Sequence, residues 1–127
     1  MICTQGTRVI VDAMHARPQL RRLLVVSSLG VGDSKDQVPF GFKMLMKTVL
    51  KKAMEDKELQ EQVVRDSGLE WTIVRPGGLT DGPRTGRYTT GVDPSITAGQ
   101  VSRADVADFL LKQLSDDEFL RQAPAIT

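Results

Sequence analysis

The sequence has one cysteine and one histidine in 127 residues. Cys3 has no partner within the chain, so no disulfide framework exists, which fits a reducing compartment. A lone Cys3 and a lone His15 do not make a metal site. No apolar run approaches the roughly 18 residues that suggest a membrane span, and no signal-peptide pattern is present, so the reading is a soluble, cytoplasmic protein. The net charge of +1 gives no case for nucleic acid or an anionic membrane. There is no internal repeat and no low-complexity segment. No Gly-x-Gly-x-x-Gly follows a strand, so the chain lacks the loop that lays a pyrophosphate on a helix N-terminus.

What is there is ordinary globular material, 40% hydrophobic and 26% charged, of a length that suits one domain. Thr4 to about Ala16 reads as a helix. Thr4 or Thr7 is its N-cap, Val9, Ile10, Ala13 and Met14 its buried face, and Pro18 its stop. His15 reads as a surface or packing residue. Leu23-Leu-Val-Val26 reads as a strand buried on both faces, followed by Ser27, Ser28, Gly30 and Gly32. Asp33 to Asp36 is loop-like. Phe42, Leu45, Met46, Val49, Leu50 and Ala53 trace one helical stripe. Glu55 to Glu58 reads as a polar break. Leu59, Val63 and Val64 mark a second helix, closed by Gly68.

The most informative stretch follows. Trp71-Thr-Ile-Val74 has the composition of a fully buried strand. Pro76 should end its pairing, and Gly77 and Gly78 let a flat ligand lie close to the backbone. A strand–helix–strand unit of this length implies a parallel pair with a right-handed crossover. Both strands then deliver small-residue loops at the same end, where ligands bind in open parallel sheets. Leu79 to Gln100 reads as a long loop with a short strand near Arg87–Thr90. Ser102 caps a last helix with Asp105 in its first turn and Val106, Ala107, Leu110, Leu111 and Leu114 as its buried stripe. Ala125–Thr127 suits a final short strand.

Thr4-Gln-Gly-Thr7, Val25-Val-Ser-Ser28, Ser67-Gly-Leu-Glu-Trp-Thr-Ile-Val-Arg-Pro-Gly77 and Val101-Ser-Arg-Ala-Asp-Val-Ala107 together resemble the second half of an atypical short-chain dehydrogenase/reductase. The resemblance is to the NAD(P)H-binding branch that holds the flavin reductase (biliverdin reductase B) group, with the NmrA-like regulators nearby. It implies an α/β fold, a Rossmann-like parallel sheet with helices on its faces. Residues 1–127 would form one partial NAD(P)-binding domain whose first strands and glycine-rich loop lie outside it. The resemblance places Val26 and Ser28 beside the nicotinamide, with Ser28 at the hydride-transfer centre. Pro76, Gly77, Gly78 and Leu79 would pass along the ring, and Thr4 would lie near the ribose. Arg84, Arg87 and Tyr88 would border the acceptor. NADP is favoured over NAD. An open sheet edge would leave the chain marginally stable or self-associating.

Typical members carry a tyrosine four residues before a lysine on the long helix. This chain has only Tyr88, in the later loop. The expectation is therefore hydride transfer to a small-molecule acceptor that takes it directly, such as a flavin, quinone or linear tetrapyrrole, once the full domain is present. The competing expectations are a non-enzymatic NAD(P)-sensing module of NmrA type and an inactive remnant.

Overall fold

The computed structural model describes residues 1–127. It is built around two adjacent parallel strands, β1 (Arg22–Val26) and β2 (Glu70–Pro76), paired from Arg22↔Glu70 to Val26↔Val74. The connection between them holds a 3-10 turn (Gly32–Gln37), α2 (Phe40–Lys47) and α3 (Lys51–Arg65). α1 (Ile2–His15) precedes β1. After β2 come β3 (Gly78–Thr80), β4 (Thr90–Gly91), β5 (Gln100–Ser102), α4 (Arg103–Gln113) and β6 (Ala125–Ile126). The main sheet runs β1-β2-β6-β4, with only the β4–β6 pair antiparallel, and β3 and β5 form a small parallel sheet beside it.

Helices cover both faces of β2. On one side α1 and α3 pack over Leu23, Val25, Trp71 and Ile73, joined by Val11, Val64 and Leu69. On the other, Val74 and Ile126 meet Val106 and Phe109 of α4 with Val101 and Phe119. β2 is thus buried on both faces, as its composition implies. β1 is not: Leu24 is half-buried and Val26 exposed, because no helix covers that face of the outer strand.

Five local readings are corrected. Thr4 and Thr7 do not cap α1; they lie inside it and face α3, with Val11. Val9 and Ile10, expected to be buried, point outward at 69% and 53% exposure. The cause is Asp56, buried on α3. A buried carboxylate must be hydrogen-bonded, and only the Thr4 face of α1 supplies donors: the amides of Cys3 and Thr4 at 2.9 Å each, and the Thr4 hydroxyl at 2.6 Å. Asp56 so caps α1 from another helix. The expected polar break at Glu55–Glu58 is correspondingly the middle of α3, and the real break is Thr48–Leu50.

On α4 the buried stripe is Asp105, Val106, Asp108, Phe109 and Gln113, while Ala107, Leu111 and Leu114 face out. Finally, Pro76 does not end pairing. Its carbonyl accepts from Leu29 at 3.0 Å, and the next amide, Gly77, donates to Ile126 at 2.9 Å. A proline removes only its own donor.

Gly6 sits in α1 with open space where a Cβ would go. Gly6→Ala should therefore stabilise the chain by up to about 1 kcal/mol through helix propensity alone, seen as a raised denaturation midpoint in urea.

Candidate functional site

Past the last β1–β2 pair the strands stay in contact. The Ser27 amide donates to Val74 O at 2.7 Å and Leu29 to Pro76 O at 3.0 Å, so Ser28 is held alongside the Arg75–Pro76 tip. A cavity of about 290 Å³ opens there, lined by Ser28, Leu29, Pro76, Gly77 and Gly78, with Val38 and Phe42 from the α2 side and Gly99 and Gln100 opposite. Gly78 donates to Gly99 O at 2.7 Å, and Gly99 donates to Thr127 Oγ1 at 2.7 Å. The floor is therefore interlocked backbone. A Cβ on Gly77 would stand 2.7 Å from Gly99 O, closer than any side chain tolerates. Ser28 donates its hydroxyl to Leu29 O at 3.1 Å, which leaves its oxygen lone pairs for a ligand.

Four predicted positions, Ser28, Pro76, Gly77 and Gly78, thus share one cleft. The others do not line it. Val26 ends β1 on its uncovered face, and Leu79 sits one residue on, paired with Val101. Thr4, expected near the ribose, is instead buried in the α1–α3 seam, where its hydroxyl and amide donate to Asp56. Arg84 and Tyr88 are tied to α4 instead. Arg84 Nε and the Tyr88 hydroxyl donate to the two oxygens of Asp108 at 2.9 and 2.7 Å, and Thr85 and Gly86 bond Asp105. Arg87 lines, with Tyr88, Thr80 and Ser102, a neighbouring depression that shares Gln100 with the cleft. Burial and the bond to Asp108 raise the Tyr88 hydroxyl pKa, so it stays protonated.

The Tyr88, Lys112 and Arg84 hydrogen bonds hold Asp108 down to about 2. Its folded pKa lies below the ordinary carboxylate value of about 3.9. That contribution is complete above about pH 4 and is lost as the pH falls towards 2. Thermal melts between about pH 5 and 2 should show Tm dropping, and less steeply in Asp108→Asn.

Sequence reading missed what fixes the cleft from below. Arg75 is buried and donates to both oxygens of buried Glu61, at 2.6 Å from Nη2 and 3.2 Å from Nε, and to Asp33 at 2.5 Å. Ser27 donates to Glu61 at 2.6 Å. Burial pulls the Arg75 pKa down, but the two carboxylates outweigh it and the pKa ends above its ordinary value. One carboxylate on α3 thereby ties the tips of β1 and β2 together and, through Arg75, the turn at Asp33. The signal was an arginine in an otherwise apolar strand, which demands a buried acid. No group of three or more His, Cys, Asp or Glu side chains is placed to hold a metal ion.

A parallel sheet whose strand ends frame a glycine-floored cleft is the setting for a dinucleotide. The model of the NAD(P)H-binding family matches residues 3–117. The chain belongs to that family. An uncharacterized chloroplastic protein of Arabidopsis thaliana is 30% identical over 113 residues, covering 89% of this chain and 40% of the relative. The structure of ChuY, an anaerobilin reductase from Escherichia coli O157:H7, superposes with a TM-score of 0.84 at 28% identity, over 99% of this chain and 58% of that one. A short-chain dehydrogenase/reductase of Veillonella parvula in complex with NADP shares the fold, with a TM-score of 0.75 at 23% identity over 97% of this chain and 57% of that one. The chain therefore spans less than two thirds of the length of each of these relatives. No helix is long and apolar enough to cross a membrane.

Proposed function

We propose that this chain supplies the nicotinamide half of the cofactor cleft of an NADPH-dependent reductase, one that passes hydride to a conjugated acceptor such as a flavin, quinone or linear tetrapyrrole. The observation that carries the reading is the shared cavity of Ser28, Pro76, Gly77 and Gly78 at the tips of two parallel strands. Its volume, about 290 Å³, sits at the low end for ligand pockets and suits one ring rather than a whole dinucleotide. NAD(P)H, when bound, supplies the hydride. The chain's part is to orient. Gly77 and Gly78 offer a flat floor, Ser28 an acceptor for a carboxamide N–H, and Phe42 with Val38 an apolar wall that excludes water. NADP is favoured by the complex of the Veillonella relative, and the acceptor class by the reductase activity in the name of ChuY.

No side chain lining the cleft is a practical proton donor, the polar ones being Ser28 and Gln100. This supports direct hydride acceptors over carbonyls that need an acid. It also favours, as the second reading, a module that binds the cofactor without turnover. The lone Cys3 supports a reducing compartment such as the cytoplasm. The outer edge of β1 carries no strand, and pairing with a second copy there is part of the proposal; a monomer in analytical ultracentrifugation would remove that part.

Titration separates the readings. If only the nicotinamide half binds here, NADPH and reduced nicotinamide mononucleotide should bind this chain about equally, with Kd of order 1 mM, about −4 kcal/mol. NADPH oxidation with flavin mononucleotide or menadione supports the reductase, and binding without oxidation supports the sensor. No binding of either nucleotide at several times that concentration would overturn both.

A further inference from the structure

A second cavity, of about 400 Å³, borders α2 and the start of α3 away from the cleft floor. Its base is apolar. Met46 is buried and Met54 half-buried, and Gly30 lies so close to Met46 that a Cβ there would come within 2.7 Å of its sulfur. Its rim is cationic, with four lysines against two glutamates. Lys35 pairs with Glu58 at 3.3 Å, and Lys43 pairs with Asp36. Lys47 and Lys51 form no ion pair within 4.0 Å. α3 begins at Lys51 and Lys52 with no acidic residue in its first turn and no side-chain cap. Cations against the positive end of a helix dipole are unfavourable. An anion in the cavity would relieve that repulsion and compensate the rim.

We propose that this cavity is a second ligand site, for a small apolar molecule that carries a carboxylate. The apolar base accounts for the body of such a ligand, and Lys47 and Lys51, unpaired on a rim whose one unpaired acid is Glu55, for its charge. A neutral apolar molecule would leave the rim unanswered, and a cation would be repelled. The site abuts the strand-tip cleft through one wall. Leu29 and Val38, which line the cleft, cluster with Met46 of this cavity. The two cavities therefore share the wall that faces the proposed nicotinamide position. The proposal stands independently of the dinucleotide reading.

The test is calorimetric titration of the 127-residue chain with octanoate and, as the neutral counterpart, octanol. Octanoate should bind with a stoichiometry of one and octanol should not. Lys47→Gln/Lys51→Gln should weaken octanoate by about tenfold or more with the far-ultraviolet circular dichroism unchanged. If that variant unfolds, salt serves instead. Binding to the unaltered chain should weaken steeply towards about 1 M salt, where the screening length falls to about 3 Å. No binding of octanoate, equal binding of octanol, or indifference to both the substitutions and salt would each overturn the site. NADPH binding plays no part in the readout, so failure here leaves the dinucleotide reading to its own test.

Discussion

Glu61→Ala is expected to destabilise the chain by about 3–5 kcal/mol, the usual cost of removing one partner of a buried charge pair. A domain with the typical total of about 5–15 kcal/mol would lose a large share of its stability. The size follows from what Glu61 holds. Its two oxygens take the Arg75 guanidinium and the Ser27 hydroxyl, and both charged side chains are about 95% buried, at 4% and 5% exposure. Without Glu61, Arg75 keeps only Asp33, whose side chain is 82% exposed. The loss is thus the cost of stranding a charge more than the worth of the pair. Glu61→Ala/Arg75→Met should therefore be more stable than Glu61→Ala alone. Urea denaturation measures both. A single-mutant loss under about 1 kcal/mol, or a double mutant worse than the single, would show that the pair does not carry the tips of β1 and β2.

Gly77→Ala should abolish measurable nucleotide binding and destabilise by about 1–3 kcal/mol, as overpacking does. The added Cβ meets Gly99 O at 2.7 Å and Thr127 Oγ1 at 3.1 Å. Neither can give way cheaply: Gly99 O accepts from Gly78, and Thr127 Oγ1 accepts from Gly99. The floor of the cleft must open. Gly78→Ala is the control. Its Cβ would lie 3.3 Å from the same oxygen, a contact that a shift of a few tenths of an ångström relieves. It should bind nucleotide more weakly than the unaltered chain and more tightly than Gly77→Ala. Equal binding by Gly77→Ala and the unaltered chain would place the ligand elsewhere.

The strands that frame the cleft were legible because their signals are local. A β-branched and aromatic run such as Trp71–Val74, followed by Pro and two Gly, has few alternatives, and the parallel crossover then follows from the length of the connection. Ser102 as a cap is equally local, and its hydroxyl accepts from Asp105 at 3.0 Å. What escaped was decided by tertiary partners. α1 has two apolar stripes, and Asp56, more than fifty residues on in sequence, selects the face with Thr4 and Thr7. α4 carries Asp105 and Asp108 on its buried face because the loop of Arg84, Thr85, Gly86 and Tyr88 folds back to satisfy them. That folding back also ties Arg84 and Tyr88, two of the expected acceptor residues, to α4. The wall from α2 was missed for a simpler reason: a helix of eight residues gives little periodicity from which to tell Phe42 as lining and Met46 as core.

The central claim is that a reduced nicotinamide ring lies at the joined tips of β1 and β2. The most direct measurement is the amide proton–nitrogen correlation spectrum of the chain during titration with reduced nicotinamide mononucleotide. Amides of Ser28, Leu29, Gly77, Gly78 and Gly99 should move together along one saturable curve while those of Val9 and Leu111 stay fixed. Movement confined to Lys47 and Lys51 or to α1, with Ser28 and Gly77 unmoved at saturation, would contradict it.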